Sequence, residues 1–198
     1  SVYNSRLQLL DPINKNFYLP IDFFFRSLAA DKKNMSVGII LSGTGSDGTV
    51  GLKDIKSHDG LVLVQSESTS KYDGMPRSAI NTGQADMILA PEEIPDNLRQ
   101  YFQYRTAMVQ KEIPREQGWL QKIFALLRDQ LGHDFSEYKE NTLLRRINRR
   151  MGLNQIDDQE VYVRFLRENP REIKALFQEL LIGVTNFFRD PQSFEALK

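Results

Sequence analysis

The sequence predicts an α/β domain, part of a doubly wound parallel sheet, followed by an all-α helical domain. Three observations carry this. Short apolar runs alternate with amphipathic stretches as far as Arg105. A stretch of no clear period, TAMVQKEIPREQG, follows at 106–118. Beyond it, every periodic segment has helical spacing. The expected division is residues 1–104 for the α/β part, 105–116 for a linker and 117–198 for the helical domain.

The first element that stands out is VGIIL (37–41), a run apolar at successive positions, as in a strand buried on both faces. From Ser46 to Ser57, Val50, Leu52 and Ile55 recur among Asp and Lys, the pattern of an amphipathic helix. GLVLVQ (60–65) reads as a second buried strand, and ADMILA (85–90) reads as a third strand. Between them MPRSAINTG places a proline near a helix start and a glycine just past its end. PEEIPDNLRQYFQYR (91–105) opens with proline and acids and continues helically. Three strands form only a thin sheet, so further strands are expected to precede Ser1 in a longer parent.

In the second part, Leu120, Ile123, Phe124, Leu127 and Leu131 share one helical face, and Leu143, Leu144, Ile147 and Met151 share another. DDQEVYVRFLRENP has an Asp cap and a Pro stop. PREIKALFQELLIGV starts on Pro170 and carries Ile173, Leu176, Phe177, Leu180 and Leu181. Such a set of short helices makes an all-α module.

Composition sets limits. The 198 residues carry 26 Lys+Arg and 26 Asp+Glu, so charge alone does not mark the chain as a binder of nucleic acid or of a membrane surface. There is no cysteine, which removes disulfides, thiolate metal sites and a Cys nucleophile. No apolar run approaches the ~20 residues that span a bilayer, and the start SVYNSRLQLL has neither a signal pattern nor an initiator Met. No metal site and no membrane insertion are expected. The chain reads as cytoplasmic and as cut from something longer.

The turn GTGSDG (43–48) ends the first strand. It reads either as a tight strand-to-helix connection with Ser46 or Asp47 capping the next helix, or as a catalytic aspartate at the C-terminal edge of a parallel sheet. A phosphate cradle fits less well, because the P-loop Lys-Ser/Thr pair and the dinucleotide fingerprint are both missing. An aspartate in such a place can hold a histidine in the right tautomer while the histidine takes a proton from a serine. His58 lies at the far end of the following helix, roughly 16 Å away at ~1.5 Å per residue, and His133 lies in the other domain. A triad therefore needs a serine and a histidine from outside this sequence.

PIDFFFRSLA, VGIILSGTGSDGTVGLKDIKSHDGLVLVQ, YDGMPRSAINTG and ADMILAPEEIPDNL together resemble the C-terminal half of the chemotaxis receptor-glutamate methylesterases, over about residues 1–100. That resemblance implies hydrolysis of glutamate methyl esters by a Ser-His-Asp triad on a doubly wound sheet. Asp47 stands at the triad aspartate, and the nucleophile and histidine lie in segments that would precede Ser1. Thr44 replaces a methionine common in the family's GMGxDG.

The helix NTLLRRINRRM places Arg145, Arg146, Arg149 and Arg150 opposite its leucines, with no acid between Asn141 and Met151. A solvated face is the plain reading. Four like charges at helical spacing repel one another, and an acidic partner would offset that. Nucleic acid is not expected, for want of interleaved aromatics. Further on, Thr185, Asn186 and Arg189 sit where the chain turns between two helices.

FSEYKENTLLRRINRRM and YVRFLRENPREIKALFQELLIGVTNFFRDPQSFEAL resemble the N-terminal helical domain of the chemotaxis receptor methyltransferases, over residues 117–198. The family moves a methyl group from S-adenosylmethionine to receptor glutamates. By this resemblance Arg145, Arg146, Arg149 and Arg150 contact acidic receptor helices, and Thr185 and Arg189 approach the cofactor. Gly183 stands where the family has an asparagine. The order of the two domains implies a CheB/CheR-type fusion, part of a bifunctional sensory protein that removes and adds methyl groups on receptor glutamates and is inactive as this piece alone. The other reading is a non-catalytic signalling scaffold that binds acidic receptor helices.

Overall fold

The computed structural model describes residues 1–9, 19–110 and 118–181, which fall into two compact units, Ser1–Arg99 and Gln100–Lys198. In the first unit a small antiparallel hairpin, β1 (Val2–Tyr3) and β2 (Arg6–Leu7), leads to helix α1 (Pro20–Lys32). Then come β3 (Val37–Ile40), α2 (Thr49–Ser57), β4 (Leu61–Gln65), α3 (Gly74–Asn81) and β5 (Met87–Leu89). A 3-10 turn, Pro91–Glu93, leads into α4 (Ile94–Gln110), within which the boundary between the two units falls.

The sheet has the order β3-β4-β5 and is parallel throughout, as the alternation of strand and helix predicts. Val37 to Ile40 pair in register with Leu61 to Val64, and Leu63 to Gln65 with Met87 to Leu89. β4 lies in the middle, and every one of its residues is buried. The flanking strands are only partly covered, although the sequence of β3 read as a strand buried on both faces. The core gathers Ile40, Val62 and Val64 from the sheet with Leu52 and Ile55 from α2 and Phe25 from α1.

Helix α1 packs on α2 and is an element that the periodicity did not mark. Its start is conventional, with Pro20 in the first turn and Asp22 behind it. Its three successive phenylalanines, Phe23 to Phe25, however, blur the helical period.

The second unit contains α5 (Gly118–Leu131), α6 (Glu140–Leu153), α7 (Gln159–Glu168) and α8 (Pro170–Leu181). Both predicted apolar faces are inside: Ile123, Leu127, Leu143, Ile147 and Met151 are buried in one core with Leu176 of α8. Asp158 caps α7 by accepting the Val161 N–H at 2.8 Å, and Pro170 opens α8. Of the stretch expected as a linker, residues 105–110 extend α4.

Candidate active site

The GTGSDG turn leaves β3 at the C-terminal edge of the sheet. Two glycines, Gly48 in the turn and Gly51 in α2, allow the close packing around it. Gly48 has φ 98°, a left-handed conformation that favours glycine, and a Cβ there would lie 2.8 Å from Ile40 Cδ1. At Gly51 a Cβ would lie 2.6 Å from Phe25 Cβ and 3.0 Å from the Asp22 backbone, so α1 and α2 touch through a position that has no side chain.

Asp47 sits partly buried between them. The expected cap of α2 by Ser46 or Asp47 is not what forms: the N-cap of α2 is Gly48, with no side-chain bond. Asp47 instead caps α1. Its Oδ2 accepts the Ile21 N–H at 3.1 Å and its Oδ1 accepts the Asp22 N–H at 3.0 Å. Pro20 has no N–H, and the Phe23 N–H donates to the Leu19 carbonyl at 3.1 Å, so the first turn of α1 is fully satisfied. In return, the buried Asp22 carboxylate accepts the Gly51 N–H in the first turn of α2, at 2.7 Å. Sequence reasoning missed Asp22, because its bond reaches 29 residues along the chain.

The same turn is stitched to the loop before α3. The Gly43 N–H donates to the Tyr72 carbonyl, the Met75 N–H to the Gly43 carbonyl and the Tyr72 N–H to Ser42 Oγ, each at 2.9 Å. Gln65, 5% exposed at the end of β4, accepts the Ser42 N–H at 2.8 Å. Gln65 is another residue that the sequence did not single out. Its signal is a polar side chain closing an apolar strand.

Chemically, the site holds one carboxylate in a fixed orientation. An ionised carboxylate offers about four acceptor positions. Two backbone donors leave each oxygen of Asp47 room for a further donor, such as an imidazole N–H. Exposed apolar side chains stand near it in the chain and at the two helix starts: Leu41, Val50 and Phe23. His58 does not supply the imidazole. It lies just past the opposite end of α2, with Nδ1 2.9 Å from the Asp54 carbonyl. His133 belongs to the second unit, where it packs on Phe177 with ring centroids 5.1 Å apart. Among the described residues no cluster of three or more His, Asp or Glu is disposed to hold a metal ion, and no helix is long and apolar enough to cross a membrane.

In the second unit, the plain reading of a solvated face of four arginines does not hold for three of them. Arg145 is exposed. Arg146 is 6% exposed and donates to the carbonyls of Glu179 and Leu180, at 2.6 and 2.9 Å, in the last turn of α8. Arg149, 7% exposed, donates to both oxygens of Glu179 at 3.0 Å. Arg150 grips both oxygens of Glu172, with Nε at 2.9 Å, and the Tyr162 hydroxyl donates to the same carboxylate at 2.8 Å. The acids paired with Arg150 and Arg149 lie 22 and 30 residues along the chain, on α8. Burial and the Glu172 charge both push the Tyr162 hydroxyl far above the ordinary tyrosine range. Thr185 and Arg189 lie outside the described residues.

Residues 4–98 match the family described as CheB methylesterase, and residues 119–181 match the one described as CheR methyltransferase, all-alpha domain. The chain is a CheB/CheR-type fusion. Its CheB part belongs to a hydrolase family, and its CheR part is the non-catalytic domain of a methyltransferase family. Similar proteins include an uncharacterized 104.1 kDa protein in the hypE 3′ region of Rhodobacter capsulatus, 36% identical over 203 residues that cover 90% of this chain and 21% of that protein. The protein-glutamate methylesterase/protein-glutamine glutaminase of Moorella thermoacetica is 43% identical over 74 residues, 37% of this chain and 18% of that protein. The CheB/CheR-type chain thus spans about a fifth of the length of these curated relatives. Among solved structures, the Thermotoga maritima CheB methylesterase catalytic domain is 36% identical, with a TM-score of 0.38 over 39% of this chain and 41% of that one.

Proposed function

We propose that the protein carrying this chain removes methyl esters from receptor glutamates and takes part in adding them, and that Asp47 is the orienting aspartate of its Ser-His-Asp esterase site. The observation that carries the reading is the Asp47 carboxylate itself. It stands at the C-terminal edge of a parallel sheet, where open α/β folds place their chemistry. Two backbone N–H groups fix it, with acceptor positions left over. A carboxylate so held can keep an imidazole in one tautomer and stabilise the imidazolium as a serine attacks the ester. The serine and the imidazole are assigned to other parts of the protein.

The proposed functional division is 1–104 for the esterase part, 105–116 for a connecting segment that begins inside α4, and 117–198 for the helical domain. In the helical domain the receptor-reading role is placed on the arginine helix α6, of whose four arginines Arg145 is the exposed one. The partner is an acidic receptor helix bearing glutamate or its methyl ester. S-adenosylmethionine is the methyl donor that the CheR resemblance implies, approached by Thr185 and Arg189. The cytoplasm, where such receptors present their helices, is the proposed location.

The test is methanol release from a methyl-esterified, glutamate-rich helical peptide. The full-length protein should release methanol, and residues 1–198 alone should not. Binding of the peptide by the full-length protein without methanol release would favour the scaffold reading.

A further inference from the structure

We propose that Asp22 is a positioning residue for the esterase chemistry, holding Asp47 in its catalytic orientation by tying the start of α2 to the start of α1. The proposal rests on the reading of Asp47 as the triad aspartate.

Asp22 occurs at both ends of a closed circuit. Its backbone N–H donates to Asp47 Oδ1 at 3.0 Å, and its carboxylate accepts the Gly51 N–H at 2.7 Å. Gly51 is four residues beyond Asp47, so the two bonds close a small ring across the two helix starts. Asp22 is 6% exposed. A carboxylate so deeply covered is costly to desolvate unless it is hydrogen-bonded, and here a helix N-terminus receives it. The ring leaves the Asp47 carboxylate little freedom. Gly48 fixes the backbone in its left-handed turn with Ile40 and Ile21 against it, and Gly51 brings α2 onto the α1 backbone. A side chain that only capped α2 would satisfy Gly51 and have no effect on Asp47. Asp22 is in a position to do both, since the amide it presents to Asp47 belongs to the residue whose side chain anchors α2.

Misplacing a reacting or orienting group by about 1 Å can cost about 100-fold in rate. Releasing the Gly51 bond should let α2, and Asp47 at its head, shift against α1. In the full-length protein, Asp22→Ala should lower kcat for ester hydrolysis by about 10- to 100-fold with KM unchanged. Asp22→Asn keeps a side-chain oxygen for the Gly51 N–H and should stay within about 3-fold of wild type. Amide hydrogen exchange gives a readout independent of activity: Asp22→Ala should deprotect Ile21, Asp22 and Gly51 together. Deprotection of Gly51 alone, or an unchanged kcat in Asp22→Ala, overturns the proposal. If the alanine variant fails to fold, Asp22→Glu, which lengthens the tether, takes its place: reduced kcat in Glu with near-normal kcat in Asn supports positioning, and normal kcat in both overturns it. Asp47→Ala is measured in parallel. A loss there with none in Asp22→Ala removes only this inference; no loss in Asp47→Ala removes the function reading as well.

Discussion

Asp47 and Asp22 cap each other's helices: Asp47 receives two N–H groups at the start of α1, and Asp22 receives one at the start of α2. Each carboxylate faces the positive end of the other helix, where a negative charge is favourable. Asp47→Ala leaves the amides of Ile21 and Asp22 without that acceptor. The loss of a helix cap costs about 0.5–2 kcal/mol, and for a domain of this size each kcal/mol lowers Tm by about 4–8 °C. Thermal unfolding of wild type and variant should therefore separate by several degrees while both remain folded at 25 °C.

Gly51→Ala sets two effects against each other. In a helix, alanine is favoured over glycine by up to about 1 kcal/mol. Here the added Cβ meets Phe25 Cβ at 2.6 Å and Asp22 backbone atoms at 3.0 Å, none of them the flexible end of a side chain. Overpacking of that kind costs about 1–3 kcal/mol. The clash should win, and denaturant unfolding should show a net loss of stability.

In the helical unit, burial decides between the arginines. Arg149→Ala removes a buried ion pair to Glu179, which is 3% exposed, and should cost about 3–5 kcal/mol. Arg145→Ala, at an exposed position, should stay within about 0.5 kcal/mol of wild type and lower affinity for an acidic helical peptide. Chemical denaturation and peptide titration of the two variants, side by side, check both halves.

Tyr162 predicts an alkaline limit. Burial first, then the Glu172 charge and its hydrogen bond, raise the folded pKa of the hydroxyl above the unfolded value of about 10. The stability from this group is fully present below about pH 10 and is lost as pH rises from there toward the folded pKa. The helical unit should become easier to denature above about pH 10. Tyr162→Phe should be less stable at neutral pH, and its stability should fall less steeply with alkali. A parallel loss in both proteins would contradict the assignment.

The parts legible in the sequence were those with a local signature. Apolar runs located β3, β4 and β5, and 3.6-residue spacing located the buried faces of α5 and α6. Asp47 was legible as either a cap or a catalytic group, and the structure gives it a cap on a helix 25 residues away in sequence, not on its own. Arg149 and Arg150 of α6 read as solvated because their acids, Glu179 and Glu172, lie buried on α8. A helical wheel records only the charges of its own helix, and neutralisation across a core does not appear on it. Asp22 and Gln65 were missed for the same reason, since their partners are remote in sequence.

The most direct measurement of the central claim is kcat/KM for methyl-ester hydrolysis by the full-length protein and its Asp47→Ala variant, with folding checked by circular dichroism. An orienting aspartate in a serine-histidine site is worth about 10⁴-fold in turnover, and a loss of that order in a folded variant is the predicted result. A folded Asp47→Ala protein that hydrolyses the ester at the wild-type rate would contradict it and leave Asp47 as the cap of α1 alone.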